Sequence, residues 1–235
     1  MLTRERYRKA HPDSQPAYNY PPYASTHARA PREALIEIPQ GITETTGPQF
    51  RQVQLGSSDS DLTTQAGGAA HGERIIVTGR VLDETGRPIP HMQIELWQAN
   101  AAGRYRHPAD QHAAPLDPNF IGAGRVRTDA RGYYRFLTIR PGAYPWRNHP
   151  NAWRPAHLHF SLFGPCCLTR LVTQMYFPGD PLLAFDPIFN SIADVNARQR
   201  LVAEFAWEVT QPEFALGFRF DLVLRGPRET PSTPD

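Results

Sequence analysis

Short segments in which apolar and polar residues alternate follow one another along the chain from Arg74 onward. Alternation of this kind places successive side chains on opposite faces of an extended strand, so each segment can bury one face. The segments predicted as strands are Arg74–Leu82, Met92–Gln98, Val126–Thr128, Tyr133–Ile139, Ala156–Phe163, Leu168–Phe177 and Phe218–Leu224. Turn signals separate them, including Asp83–Pro88 with Gly86 and Asp129–Gly132 with glycine at its end. The sequence therefore predicts a mainly β protein with an antiparallel β-sandwich core.

Helical periodicity is confined to two places, so one or two short helices are expected. Asn196–Trp207 is predicted to form a helix with a narrow apolar stripe made of Leu201, Val202 and Phe205. Pro31–Glu37 is predicted to start a short helix, because proline is favoured at a first helical position. The sequence contains no internal repeat and no glycine-rich phosphate-binding loop.

The N-terminal part of the chain, residues 1–72, is predicted to be an extended arm followed by a loop. Pro16–Ala24 is rich in proline and tyrosine and should be extended. Its tyrosines make it too aromatic for a plain disordered tail, so the arm should pack on its own domain or on a partner chain; they are Tyr18, Tyr20 and Tyr23. Gly56–Gly72 is polar and rich in glycine and alanine, which favours a loop and a boundary. Residues 73–235 are therefore predicted to form the catalytic β-sandwich domain.

Composition narrows the possible partners and compartments. The formal net charge of +2 favours neither nucleic-acid binding nor a membrane-surface role. All apolar runs are short, and the N-terminus has no apolar segment of the secretory type, so a cytoplasmic protein is expected. Cys166 and Cys167 are adjacent, which suits neither a disulfide framework nor a zinc site. They are expected to be reduced and at least half-buried.

The first candidate for chemistry is the histidine pair in the predicted strand Ala156–Phe163. His157 and His159 are two residues apart, so they share one face, while Leu158, Phe160 and Leu162 point the other way into a core. Two imidazoles on one face are spaced to hold one metal ion. For a His-x-His that stands alone, a half-exposed strand with no metal is the favoured interpretation.

Tyrosines are the further ligand candidates near this pair. No Asp or Glu lies between Asp129 and Asp180, so the two-histidine, one-carboxylate triad of ferrous oxygenases has no local carboxylate. Tyr144 precedes a proline that keeps its backbone extended, and Tyr105 lies in the short loop GRYRH. Two phenolates with two imidazoles would suit Fe(III) better than zinc or copper. Taken singly, Tyr105 is better explained as a surface-loop residue and Tyr144 as a ring that packs a turn.

Longer motifs around these residues resemble the intradiol ring-cleaving dioxygenases. They are WQANAAGRYRH, LDPNF, DARGYYRFLTIRPGAYPWRN and WRPAHLHF, and the resemblance extends from the arm, through Glu44–Phe50, to Phe218–Gly226. The sequence departs from the family pattern at Ala143, where the family usually has proline. The loop Gly56–Gly72 diverges, and the arm before Tyr20 matches weakly. None of these departures touches an expected ligand.

The resemblance implies one Fe(III) per chain, bound by two tyrosines and two histidines and completed by a solvent hydroxide. In the family pattern, Tyr144 and His159 correspond to axial ligands, and Tyr105 and His157 to equatorial ones. The implied substrates are a catechol bearing a carboxylate and O2, and the implied product is a carboxylated muconate formed in the breakdown of aromatic compounds. Tyr144 would also act in catalysis by accepting a proton from the catechol.

The resemblance further implies roles for residues around the metal ligands. Arg154 would stabilise developing negative charge, and the alternative, a surface arginine after a tryptophan, is disfavoured. Gln174 would hydrogen-bond near the O2 site or merely satisfy neighbouring strands. Trp146 and Ile188 would shape the substrate pocket or belong to an ordinary core. Tyr23 would bind substrate, on the basis of an alignment through the proline-rich arm.

The resemblance also implies a partner, because one branch of the family pairs an iron-bearing chain with an α subunit that has the same fold but lacks the ligand set. A hetero-oligomer with such an α subunit is therefore expected, without nucleic acid or membrane. Two alternatives remain. One is an enzyme for catechol or hydroxyquinol, although those carry an N-terminal helical dimerisation segment that is not seen here. The other is a non-catalytic interaction module, against which the presence of all four ligands argues.

Overall fold

The structure is a computed structural model that describes residues 11, 13–36, 54–56, 58–151, 153–163 and 170–233. Cys166 and Cys167 lie outside these residues. The strands are β1 (Arg74–Leu82), β2 (Gln93–Trp97), β3 (Ala123–Arg127), β4 (Tyr133–Ile139), β5 (Tyr144–Pro145), β6 (Trp153–Arg154), β7 (His157–Phe163), β8 (Leu171–Tyr176), β9 (Glu204–Phe205), β10 (Leu216–Arg219) and β11 (Leu222–Val223). The described α-helices are α1 (Thr26–Arg29), α2 (Pro187–Asn190) and α3 (Val195–Gln199), and Pro181–Ala184 and Trp207–Val209 are 3₁₀ turns.

The first sheet is organised around β1, which is paired on both sides. It pairs antiparallel with the whole of β4, from Arg74 opposite Ile139 to Arg80 opposite Tyr133. On its other side β1 pairs in parallel with β10 and then with β11, and β9 pairs antiparallel with β10 at the edge. The predicted sandwich is therefore confirmed as mainly antiparallel, with parallel pairing where the C-terminal strands join β1.

The second sheet has the order β3-β2-β7-β8, and all its pairs are antiparallel. A third, two-stranded sheet joins β5 to β6 and forms a hairpin beside it. As predicted, Leu158, Phe160 and Leu162 face the core, where they meet apolar residues of the first sheet. The Phe160 ring lies 6.0 Å from that of Phe136 on β4 and 5.2 Å from that of Phe220. Face-to-face packing of the two sheets thus buries one side of β7.

The described part of the N-terminal arm packs against its own chain. The Ala17 N–H donates to the Ser191 carbonyl at 2.9 Å, which fixes the start of the arm beside α2. Further along, the Ala24 N–H donates to the Asn148 carbonyl at 3.0 Å, and the Ser25 N–H donates to Asn148 Oδ1 at 2.8 Å. Asn148 Nδ2 returns a bond to Ser25 Oγ at 2.9 Å. These bonds attach the arm to the loop that closes the β5–β6 hairpin.

The loop Gly56–Gly72 forms no regular strand or helix among its described residues, as expected, but it contributes to the core. Leu62 is fully buried within the main apolar cluster, and its N–H donates to the Leu137 carbonyl at 2.9 Å. The division of the chain at residue 72 stays a prediction.

The predicted helix Asn196–Trp207 is wrong over most of its length. Only Val195–Gln199 is helical, and the chain then turns so that Tyr176 on β8 exchanges backbone hydrogen bonds with Leu201 and Ala203. Glu204–Phe205 next pairs with β10. Of the apolar stripe predicted for this helix, Leu201 is buried as expected, whereas Phe205 is 41% exposed. Backbone pairing with neighbouring strands thus overrides the local helical periodicity.

Two other predictions of local structure are also wrong. No helix forms in the described residues from Pro31 to Ile36; instead α1 ends just before them. The residue before a proline is pushed to an extended backbone, and Ala30 has ψ 143°. The predicted strand Phe218–Leu224 is divided into β10 and β11. Among the described residues, no helix has both the length and the hydropathy that crossing a membrane requires.

Candidate metal centre

One face of the second sheet collects polar side chains from three adjacent strands. Antiparallel pairing sets His157 opposite Tyr176 and His159 opposite Gln174, and Trp97 lies opposite His159 on the other side. Side chains of paired residues project to the same face, so these five groups share it. Both histidines are 2% exposed, so the half-exposed strand considered as an alternative is not what forms.

Two tyrosines reach this face from outside the sheet. Tyr105 lies in the loop that follows β2, and its hydroxyl is 3.1 Å from His159 Nε2. Tyr144 lies on β5, and its hydroxyl is 3.4 Å from His157 Nε2. The two phenol rings contact each other edge to face at 5.4 Å between centroids. The four residues expected to bind a metal are therefore brought together, each offering a donor atom toward the same space.

The two imidazoles are held in fixed orientations. His157 Nδ1 lies 2.7 Å from the Pro155 carbonyl, which can only accept, so Nδ1 carries the proton and Nε2 presents its lone pair. Burial, then the charge of Arg154, then that of His159 hold the pKa of His157 well below its usual value of 6.5. The His159 ring stacks on the Trp97 indole at 4.7 Å and 6°. A neutral, oriented imidazole is the form that binds a metal ion.

Arg154 on β6 lies behind the donors and is fully buried, so the surface arginine considered as an alternative is wrong. Its Nη1 is 3.3 Å from His157 Nε2 and 3.5 Å from the Tyr144 hydroxyl. Its Nη2 donates to Gln174 Oε1 at 2.6 Å and to the Tyr176 hydroxyl at 3.1 Å. Asp186 forms an ion pair with the same guanidinium at 3.0 Å. A full positive charge thus stands directly beside the donor cluster.

A cavity of about 800 Å³ opens in front of these groups. It is lined by Tyr105, Tyr144, His159 and Trp146, and by residues of the loop from His107 to Ala113. A cavity of this size, with a few convergent polar groups, is typical of a small-molecule site.

The three residues predicted to bind substrate are placed differently. Trp146 lines the large cavity, and its ring lies 5.1 Å from Arg154 Cζ. Tyr23 contacts Trp146 edge to face at 5.0 Å between ring centroids, so the arm does reach the site. Ile188 lines a second cavity, of about 450 Å³, together with Tyr23 and Thr233. Thr233 also accepts a hydrogen bond from Gln174 Nε2 at 3.1 Å through its carbonyl, which joins the two regions.

The donor set fits a hard trivalent metal ion. Two ligands at right angles, each about 2.0–2.1 Å from an ion, are themselves about 2.9 Å apart, close to the O···N separations seen here. Within the described ranges, no group of three or more His, Cys, Asp or Glu side chains could hold a metal. The carboxylate-containing triad is thus not formed there, and the two phenol oxygens with two imidazole nitrogens supply the alternative donors.

Three residues of the site were not predicted: Trp97, Tyr176 and Asp186. For Tyr176 the sequence does contain a signal, since it lies two residues after Gln174 and so shares its face of β8. Trp97 becomes a neighbour of His159 only through the register between β2 and β7. Nothing in the local sequence marks Asp186 as a site residue. An aspartate directly before a proline that begins a helix is expected to cap that helix.

The fold is that of a class of dioxygenases, as comparison with known proteins shows. The family described as "Dioxygenase" matches residues 45–226, and the N-terminal family of the protocatechuate 3,4-dioxygenase beta subunit matches residues 7–41. The 3-chlorocatechol 1,2-dioxygenase of Rhodococcus opacus 1CP superposes with a TM-score of 0.55 at 25% identity, over 76% of this chain and 70% of that one.

The chain belongs to the intradiol ring-cleaving dioxygenases and is an enzyme of that family. It is 57% identical over 220 residues to the protocatechuate 3,4-dioxygenase beta chain of Burkholderia cepacia, covering 93% of each protein. It is 29% identical over 205 residues to the alpha chain from the same species, covering 83% of this chain and 98% of that one.

Gly103 controls how closely the two tyrosine loops approach. Its φ is +76°, and a Cβ there would lie 2.1 Å from the Ala143 carbonyl oxygen, next to Tyr144. We expect Gly103→Ala to lower the free energy of unfolding by more than the roughly 1–2 kcal/mol that positive φ costs an alanine, because the backbone of Ala143 must also move. The measurement is urea unfolding of the purified protein.

Gly86→Ala is the matched control for this substitution. Gly86 has a φ of +85° and no atom within 4 Å of the added Cβ, so it carries the backbone cost without the contact. Equal losses of stability in the two variants would show that the tyrosine loops do not constrain each other at this point.

Proposed function

We propose that this chain is the iron-bearing beta subunit of a protocatechuate 3,4-dioxygenase. It would cleave protocatechuate with O2 to 3-carboxy-cis,cis-muconate, in the β-ketoadipate pathway of aromatic catabolism and in the cytoplasm. The observation that carries the proposal is the convergence of two tyrosine hydroxyls and two histidine Nε2 atoms beside the buried Arg154. Support also comes from 57% identity over 93% of the chain to a protein of that name.

The proposed cofactor is one Fe(III) per chain, held by Tyr105, Tyr144, His157 and His159. A phenol has a pKa of about 10 and gives up its proton readily beside a strong Lewis acid, so both tyrosines would bind as phenolates. Bound Fe(III) would withdraw electron density from the catechol and make the ring reactive toward O2. The two phenolates would offset much of the charge of the ion.

The protein's own groups would prepare the substrate and stabilise its charge. We assign Tyr144 as the base that accepts a proton from a catechol hydroxyl at its phenolate oxygen. Arg154 Nη1, which points at Tyr144 and His157, would stabilise negative charge that develops on the substrate. Gln174 would orient Arg154 by accepting from its Nη2. Both oxygen atoms of O2 would end in the two carboxylates formed when the bond between the oxygenated carbons breaks.

The substrate pocket is proposed to include Trp146, Tyr23 and Ile188. Trp146 has the strongest support because it lines the large cavity beside Tyr144. Tyr23 is 4% exposed and packs on Trp146, so it would hold the indole in place or reach a substituent of the ring. Ile188 lines the neighbouring cavity with Tyr23, and its contact with substrate stays a prediction.

The proposed partner is an alpha subunit of the same enzyme. A protocatechuate carboxylate that leaves water needs a cationic or donor-rich neighbour, and in the family part of that pocket belongs to the alpha chain. Apolar side chains of the arm remain exposed on this chain, including Tyr18 at 66% and Leu35 at 64%. A second chain that packs on the arm would bury these side chains.

The iron proposal predicts a coloured protein with about one iron per chain, because phenolate-to-Fe(III) charge transfer absorbs visible light. His157→Ala should lose the iron and the colour, since one of four protein ligands is removed. Metal analysis and visible spectra of both proteins test this, with the exposed His27→Ala as the control. Stoichiometric zinc in a colourless wild-type protein would rule out the iron site.

The partner proposal predicts that the chain expressed alone gives little or no ring cleavage. Co-expression with the alpha chain from the same source should yield a complex containing equal numbers of both chains, with full activity toward protocatechuate. Size-exclusion chromatography with light scattering and O2 uptake are the measurements. Full turnover by the isolated monomer would contradict the need for a partner.

The assignment of Tyr144 as base predicts different behaviour for the two tyrosines. Tyr144→Phe should keep iron, because three protein ligands remain, and should lose about 10²–10⁴-fold in rate, the usual contribution of a general base. If Tyr144 gives up its position as a ligand when it takes the proton, the anaerobic substrate complex of this variant should have a wild-type spectrum. Tyr105→Phe should differ from wild type with and without substrate.

The decisive measurement is anaerobic addition of protocatechuate to each tyrosine variant. Should the substrate complex of Tyr144→Phe differ from wild type as much as its resting form does, Tyr144 is a permanent ligand and another group is the base.

A further inference from the structure

The guanidinium of Arg154 makes two kinds of contact on two different edges. Its Nε donates to Asp186 Oδ1 at 3.2 Å and its Nη2 to Asp186 Oδ2 at 3.0 Å, which is a bidentate pair on one edge. Its Nη1 lies on the opposite side, toward His157 and Tyr144. Because the guanidinium is planar, a bidentate partner on the first edge fixes the direction of Nη1.

Asp186 pairs with Arg154 and does not cap the helix that follows it. It occupies the N-cap of α2, where an aspartate side chain normally accepts a backbone N–H of the first turn, yet it makes no such bond. Asp180 and Asp194 hold the same position before Pro181–Ala184 and α3, and both cap, accepting from Leu182 and Asn196. The three residues have nearly the same backbone angles, so backbone geometry does not account for the difference.

The ion pair is enclosed on every side. Both side chains are 0% exposed. The Tyr176 hydroxyl lies 2.8 Å from Asp186 Oδ2 and 3.0 Å from Gln174 Oε1, so it can donate to either. A buried charge is costly unless it is paired and hydrogen-bonded, and this carboxylate meets both conditions.

We propose that Asp186 is the positioning residue of Arg154: its carboxylate holds the Nε–Nη2 edge so that Nη1 is aimed at the Tyr144 hydroxyl and His157 Nε2, beside the position that the reacting catechol would take. Asp186 would contact neither substrate nor metal and would act only through Arg154. This inference rests on the proposed function for its catalytic consequence, and on the geometry alone for the orientation of the guanidinium.

Two substitutions of Asp186 distinguish orientation of the Arg154 guanidinium from simple neutralisation of its charge. Asp186→Glu keeps the negative charge and both oxygens but moves them by one methylene, so the guanidinium must shift to stay paired. Asp186→Asn removes the charge and puts a donor against the Arg154 edge. In the two-chain holoenzyme, we expect kcat to fall about 10-fold or more for Asp186→Glu and about 10²-fold for Asp186→Asn, with KM for protocatechuate changed less than about threefold.

Asp194→Asn is the matched control, since it makes the same chemical change at the N-cap of α3, away from Arg154. It should leave kcat and iron content unchanged. A double-mutant cycle then tests the route of the effect: in an Arg154→Ala background, Asp186→Glu should lower kcat by less than about twofold, because the group it positions is gone. Crystal structures of wild type and Asp186→Glu show the direction of Nη1 whether or not iron is bound.

Each outcome bears on the proposal. A kcat within twofold of wild type for Asp186→Glu, with only the melting temperature lowered, would show that Asp186 merely compensates a buried charge. An equal loss of kcat in the Arg154→Ala background would show that it does not act through Arg154. If Asp186→Asn does not fold, Asp186→Glu carries the test. Failure of the wild-type holoenzyme to cleave protocatechuate would overturn the proposed function, while an unmoved Nη1 in the Asp186→Glu structure would overturn the positioning role.

Discussion

Burial of both faces of β7 is the constraint on which the rest of the structure depends. All seven residues from His157 to Phe163 are buried. One face supplies Phe160 and its neighbours to the sandwich core, and the other supplies the two imidazoles. Because side chains alternate strictly, a register shift of one residue would place the histidines in the apolar core and the aromatic ring in the site. The core therefore fixes the site: whatever holds Phe160 between the sheets also points His157 and His159 at the tyrosines.

The buried charge of Arg154 affects the metal-binding side chains next to it. Arg154 is fully buried, and its charge contributes to keeping the His157 pKa low, after burial itself. Its Nη1 also lies 3.5 Å from the Tyr144 hydroxyl. A neutral imidazole is the form that binds a metal ion. Arg154 thus helps to keep His157 in the protonation state that the proposed iron site requires.

Sequence reasoning was most successful where the pattern is local. The shared face of His157 and His159 follows from strand alternation, and the structure confirms it. The tyrosines were harder, since spacing alone allowed a surface loop for Tyr105, and resemblance to a family supplied the choice. The helix predicted from Asn196 failed because backbone groups of Tyr176 capture Leu201 and Ala203, an interaction that no local window contains. Asp186 could not be found for a similar reason: its local role as a helix cap is replaced by a long-range ion pair.

Attachment of the arm to Asn148 joins the site to a distant part of the chain. Ser25 and Asn148 are separated by 123 positions, yet their bonds secure the loop of the hairpin that carries both Tyr144 and Arg154. A displacement of the arm would therefore also release the loop of this hairpin, and with it the two site residues that the hairpin positions.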